Sequence, residues 1–165
     1  MKVMLLIIAQ LLVFQAKANV DVTCILEDCL REGWQTIDTR TGSSTLISCE
    51  GGDCELNGWH EEHRGSVITQ TYCKTNGCFI DGWTVYRADN GRMIMDVTCQ
   101  TSFASADCLE FGWVTYMPDR GSYITRCMNG DCRNIGWDVQ FQGFAPQPVR
   151  CKRGGCFTTG WTVFN

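Results

Sequence analysis

The chain repeats one rule six times: a cysteine, four residues, a second cysteine, three residues, then Gly-Trp. The copies begin at Cys24, Cys49, Cys73, Cys99, Cys127 and Cys151, and their second cysteines are Cys29, Cys54, Cys78, Cys108, Cys132 and Cys156. They end on Trp34, Trp59, Trp83, Trp113, Trp137 and Trp161, so the rule uses every one of the 12 cysteines and 6 tryptophans. Only the fourth copy departs from it, with QTSFASAD between its cysteines. A fixed unit of about 25 residues marks an array of one supersecondary element, stacked as a solenoid or closed on itself.

A second order is laid over the first. DVTC precedes Gln100 as it precedes Ile25, EGGDCELNGW matches MNGDCRNIGW, and GWTVY at Gly82 returns as GWTVF at Gly160. Repeats one to three therefore align with repeats four to six, the first cysteines being offset by 75 to 78 residues. The mature chain reads as two duplicated three-repeat units, 19–97 and 98–165. Three similar thirds, the mark of a β-trefoil, are absent.

Between each tryptophan and the next cysteine lie strand-like ends around a turn. TVYRA-DNG-RMIMDVTC is the clearest, with Asp89-Asn90-Gly91 as hairpin chemistry. The fifth such segment carries Pro146 and Pro148, which remove two backbone donors and point to an edge strand or an irregular loop. No 3.6-residue period runs through the mature chain, and glycine interrupts every unit, so helix is not expected. The fold class is all-β: an antiparallel hairpin meander, closed as a barrel or propeller-like ring or left as an open solenoid.

The short segment inside each cysteine pair is rich in turn formers, such as Gly51-Gly52 and Asn129-Gly130. A tight loop brings its own two cysteines together, which predicts the bonds Cys24–Cys29, Cys49–Cys54, Cys73–Cys78, Cys99–Cys108, Cys127–Cys132 and Cys151–Cys156. Pairing between repeats is the alternative. The six tryptophans keep one register with the cysteines and so belong to the repeat core, each covering a neighbouring disulfide; a row of exposed rings stacking on sugars is the competing reading. The chain begins and ends on single strands, NVDVTC and WTVFN, two halves of one hairpin. They either pair within a molecule and close it or join one molecule to the next.

Met1-Lys2, the apolar run Val3 to Phe14 and the small residues of Ala16-Lys17-Ala18 have the order of a secretory signal, 1–18, cut after Ala18. The run is too short for the roughly 20 residues of a membrane-crossing helix. A secreted or periplasmic chain implies disulfides and makes a zinc reading of the cysteines secondary. With Lys2 and Lys17 gone, 12 basic residues face 18 acidic ones, a balance that argues against nucleic-acid binding.

Catalysis finds no foothold. The only histidines, His60 and His63, sit in HEEH on an expected strand, whose alternation sends them to opposite faces rather than to one metal. No nucleophile elbow or phosphate-cradling loop occurs. Asp and Asn of the turns suit calcium, yet they are also what tight turns require. No cofactor and no metal are therefore expected, and the chain is read as non-catalytic. The expected function is binding of a protein or glycan partner, with self-assembly through the terminal strands as the alternative and a thiol-, metal- or hydrolysis-based enzyme third. The long fourth loop, with Phe103 flanked by Ser102 and Ser105, is the expected contact.

Overall fold

The computed structural model describes residues 18–101 and 107–164, the first two by backbone alone. The expected secretory signal, apart from Ala18 in the first strand, and the expected contact residues Ser102, Phe103 and Ser105 lie outside the described residues.

Twelve antiparallel strands close into one barrel. They are β1 (Ala18–Cys24), β2 (Trp34–Asp38), β3 (Ser44–Cys49), β4 (Trp59–His63), β5 (Ser66–Cys73) and β6 (Gly82–Arg87), then β7 (Met93–Cys99), β8 (Trp113–Met117), β9 (Gly121–Cys127), β10 (Gly136–Phe141), β11 (Gln147–Cys151) and β12 (Gly160–Phe164). Each strand pairs with its sequence neighbours, and β1 pairs with β12 from Ala18↔Phe164 to Thr23↔Gly160. Of the two outcomes open to the terminal strands, closure within the molecule is the one observed, and it leaves no sheet edge. Turns and cysteine loops alternate, so the hairpin turns gather at one rim and the six disulfides at the other.

The disulfides are Cys24–Cys29, Cys49–Cys54, Cys73–Cys78, Cys99–Cys108, Cys127–Cys132 and Cys151–Cys156, all within repeats. All six second cysteines are wholly buried. Helix does occur, contrary to the sequence reading, but as single turns beside the disulfides: α-helical at Cys29–Glu32, Cys108–Phe111 and Cys156–Thr159, and 3-10 at Ile25–Glu27, Glu50–Gly52 and Met128–Gly130. Asp28 and Asp107 cap the first two by accepting from backbone N–H groups, a local signal with no periodicity to reveal it. The loops are also tied to one another. The N–H groups of Cys54, Cys78, Cys108, Cys132 and Cys156 donate to the carbonyls of Leu30, Glu55, Phe79, Leu109 and Arg133 in the preceding loop, at 2.8–2.9 Å.

A barrel of about eight strands is filled by ordinary side chains, whereas one of about sixteen encloses a channel. Twelve strands leave an intermediate bore that needs the largest side chain available. The six tryptophans meet this need as a closed hexagon: Trp34–Trp59–Trp83–Trp113–Trp137–Trp161 and back to Trp34, with neighbouring ring centres 5.5–5.9 Å apart and planes inclined by 53–59°. A hexagon's radius equals its side, so the ring centres stand 5.5–5.9 Å from the axis. Each tryptophan pairs on one side with a disulfide cysteine and on the other with Ile47, Thr71, Val97, Thr125, Val149 or Val22, all buried. Toward the hairpin rim a second tier of inward residues follows, including Thr36, Glu61, Val85, Thr115, Val139 and Val163.

The glycine before each tryptophan has a stricter role than easing a bend. At Gly82, φ is +106° and a methyl group would overlap the carbonyl oxygen of Val97 on the adjoining strand. The same overlap recurs at Gly33, Gly58, Gly112, Gly136 and Gly160. Both the left-handed backbone and the close approach exclude any side chain. The two prolines of the fifth hairpin are accommodated without an edge: Pro148 pairs with Asp138 of β10, while β12 pairs with β11 only from Val149 onward.

The repeated phrases DVTC, CK and GWT also meet in space. Lys152 Nζ donates to Asp21 Oδ2 at 2.9 Å and to Thr23 Oγ1 at 2.8 Å, while Thr162 Oγ1 donates to Asp21 Oδ1 at 3.1 Å. One half-turn round the barrel, Lys74 Nζ donates to Asp96 at 3.1 Å and to Thr98 at 3.0 Å, and Thr84 donates to Asp96 at 2.8 Å. The first cluster clasps β12 to β1 and the second clasps β6 to β7. The chain closes on itself by the same outer-wall contact that joins its two halves.

Candidate functional site

Two parts of the barrel carry side chains beyond what the repeat frame demands: the outer wall over β8–β10 and the lumen at the tryptophan hexagon. On the wall, Thr98↔Val114, Val114↔Ile124 and Ile124↔Gln140 are neighbouring pairs, and alternation puts Tyr116 and Ser122 on the same outward face. Val114, Ile124 and Tyr116 are 38, 38 and 47% exposed, high values for apolar groups on adjacent strands. Val114 and Ile124 border a groove of about 500 Å3 that runs past Gln140 and Phe141 to Gln142 and Gly143 at the hairpin rim. At that rim Phe144 stands out, 74% exposed. Tyr123 and Phe141 stack beneath the groove with ring centres 4.5 Å apart. Burial pushes the Tyr123 phenol above its ordinary range.

Charges frame the groove without entering it. Arg150 Nη1 donates to Asp138 Oδ1 at 3.2 Å on one flank, and Arg126 Nη1 reaches Gln140 Oε1 at 3.4 Å. An apolar centre with amides and charges at its rim is the anatomy of a protein contact surface.

In the lumen, Phe79 and Phe157 follow the second cysteines of repeats three and six, which stand opposite one another in the ring. They meet across the axis with ring centres 5.4 Å apart and pack against Trp83 and Trp161. Together with the six tryptophans they line a cavity of about 110 Å3 whose walls carry no polar atom. The sequence reading missed this pair. Its only signal was CF at Cys78 and Cys156 against CL, CE and CR elsewhere.

The histidines do not converge. His60 lies between two carboxylates, Nδ1 3.0 Å from Glu50 and Nε2 3.1 Å from Glu62, whereas His63 Nδ1 is 3.0 Å from the Ser44 carbonyl. The turn carboxylates bind their own backbone. The N–H groups of Arg40 and Thr41 donate to Asp38 at 2.8 and 3.1 Å and hold its carboxyl below the usual range. Asn134 holds Asp131 low in the same way, first through its side-chain amide and then through its backbone N–H. Among the described residues no three His, Cys, Asp or Glu side chains gather as metal ligands.

No helix among the described residues is long and apolar enough to cross a membrane. The strands, five to eight residues long, are shorter than the roughly nine to eleven a membrane barrel uses. Their outward faces carry Asp21 and Asp96, paired with Lys152 and Lys74 just past the ends of β11 and β5, charges that a lipid-facing band excludes. Comparison with protein-family models, with curated proteins and with solved structures finds no match, so no activity is carried over from a relative.

Proposed function

We propose that this chain is a secreted, non-catalytic binding module that docks a protein partner on the β8–β10 wall. The observation that carries the reading is the groove itself: Val114 and Ile124 exposed side by side, with Tyr116 exposed on the same face, Gln140 and Gln142 along the margin, and the Arg150–Asp138 pair and Arg126 at the flanks. Tyrosine and aliphatic contact area with hydrogen-bonding amides at the edge is what a partner surface needs, and charge at its centre is what such a surface avoids. Export follows from the leader-like N-terminus and agrees with six disulfides. The disulfide frame holds the wall rigid, so little ordering is lost on docking. Glycan binding on the same wall is the second reading, favoured by the amides of Gln140 and Gln142 in the groove. Assembly through the terminal strands has less support, because β1 and β12 already satisfy one another.

A photo-crosslinking residue placed at Ile124, and in a second protein at Gln35 on the counterpart wall, tests the surface in the secreted fluid of the source cells. A discrete protein adduct from position 124 and none from 35 is expected, lost when Tyr116→Asp is added. Equal labelling at both positions, or none at 124, would overturn the proposal; a glycan adduct would replace it with the second reading.

A further inference from the structure

The hairpin rim holds a cleft between neighbouring turns in each half of the barrel. Between the β8–β9 and β10–β11 turns it belongs to the wall groove and is lined by Ser122, Phe141 and Gln142. Between the β2–β3 and β4–β5 turns the equivalent positions are Ser44, His63 and Arg64. With Thr41, Gly42 and Ser43 they line a cleft of about 460 Å3, within the roughly 300–1,000 Å3 of small-molecule sites. The barrel forms this cleft with phenylalanine and glutamine in one half and with histidine and arginine in the other. Folding therefore does not demand the cation.

Local structure does not account for it either. His63 pairs with Ser66, so the β4–β5 loop is Arg64-Gly65, with φ of +52° and +78°. Two positive φ values define the tight hairpin turn whose first place suits asparagine, aspartate or glycine, and an arginine there holds a backbone that L side chains avoid. At the same rim Arg40, Arg87 and Arg92 each hold an aspartate: Asp38, Asp89 and Asp119. The Arg64 guanidinium is exposed and has no such partner among the described residues.

The groups around Arg64 are equally uncommitted. The Ser43 and Ser44 hydroxyls have no hydrogen-bond partner among the described residues. His63 Nδ1 donates to the Ser44 carbonyl at 3.0 Å, which fixes the ring and leaves Nε2 as an acceptor. None of the lining residues carries a carboxylate, and Asp38 in the adjoining turn is engaged by the N–H groups of Arg40 and Thr41. A guanidinium beside free hydroxyls is a donor set for a tetrahedral oxyanion, which arginine grips through two parallel hydrogen bonds. The chain's formal net charge of −4 repels an extended polyanion and favours a compact guest with one anionic group. We propose that this cleft binds the sulfate or phosphate ester of a small sugar. Arg64 clamps the ester group, Ser43 and Ser44 complete its hydrogen bonds, and His63 Nε2 accepts from a sugar hydroxyl. The cleft is separate from the β8–β10 wall, so this site and the protein-docking surface stand or fall apart.

Calorimetry on the oxidised protein at low salt tests the site, with the sulfate and phosphate monoesters of glucose, inorganic sulfate and glucose itself as probes. One of the esters is expected to bind about tenfold more tightly than glucose, and more tightly than inorganic sulfate. The preferred ester tells sulfate from phosphate as the natural group. Arg64→Gln, which installs the counterpart residue, should weaken that ester about tenfold and leave the melting temperature unchanged. Arg120→Gln, at an exposed rim arginine outside the cleft, should leave binding as it was. Equal losses from the two substitutions, equal binding of ester and glucose, or no ester binding at millimolar concentration would overturn the proposal. Inorganic sulfate binding as tightly as either ester would overturn the assignment of a sugar ester.

Discussion

The wall over β2–β4 and the wall over β8–β10 are built from equivalent positions of the two halves, yet they present different chemistry. Gln35, Ile37, Leu46, His60 and Glu62 on the first correspond to Val114, Tyr116, Ile124, Asp138 and Gln140 on the second. On the first wall His60 ties two carboxylates together, and Glu62 puts charge at the centre. On the second the charge has moved to the Arg150–Asp138 flank and the centre is apolar. Beneath both walls the frame is unchanged: the same tryptophan, glycine and disulfide in each repeat, and the same Lys–Asp–Thr clasp at each junction. Agreement between counterparts marks what closing the barrel demands, and divergence marks what the barrel has been left free to use.

Alanine substitutions at the Gly-Trp glycines give the largest expected effect and should be symmetric. Gly82→Ala and Gly160→Ala each drive a methyl group into a backbone carbonyl at positive φ, and each is expected to cost about 5 kcal/mol or more in chemical denaturation. Gly91→Ala, at φ +65° in an open turn, should cost about 1 kcal/mol. A mild phenotype at either Gly-Trp site would break the claim that the two halves obey one frame.

Exchanging counterparts in the lumen comes next and should be asymmetric. Thr125→Ile removes an unpartnered buried hydroxyl and is expected to stabilise the oxidised protein by about 1–2 kcal/mol. Ile47→Thr creates such a hydroxyl in the other half and should destabilise by a similar amount. Equal signs for the two would show that the halves differ in packing as well as in function.

The clasps should again match. Lys74→Met and Lys152→Met each remove an ion pair whose members are about one-third exposed, and each is expected to cost about 0.5–1 kcal/mol after solvent screening. A much larger loss at Lys152 would mean that the β12–β1 seam is weaker than the internal junction.

The smallest effect concerns pH. Burial raises the Tyr123 phenol, so its neutral form favours folding below the ordinary phenol range, near pH 10, and that advantage is lost as pH rises through the raised value. Tyr123→Phe should flatten the alkaline end of the stability profile, followed by denaturation at a series of pH values. An unchanged profile would place the phenol in contact with water.

The covalent rule was legible early because every element of it is local. Four residues between cysteines are short enough to close on themselves, and a hairpin needs only its own turn. Asp89-Asn90-Gly91 marked one such turn, and DVTC with GWTV marked the duplication, but nothing in either phrase showed that Lys152 would reach Asp21 across the whole chain. The one-turn helices escaped notice because four residues hold no period. The candidate sites were less legible still. Phe79 and Phe157 are 78 residues apart and meet only because repeats three and six lie opposite one another. Val114, Ile124 and Gln140 form a surface only through strand register.

The sequence by itself determined the repeat, the all-β hairpin alternation and the likeness of the two halves, since each is written in the order of residues along the chain, whereas it left the cysteine pairing open between bonds within and between repeats until the structure showed all six within repeats. Tertiary structure alone decided that the array closes at twelve strands, that six tryptophans face one axis, and which side chains share the lumen and the wall. Closure is a property of the summed twist and stagger of all strands, and no single repeat encodes that sum.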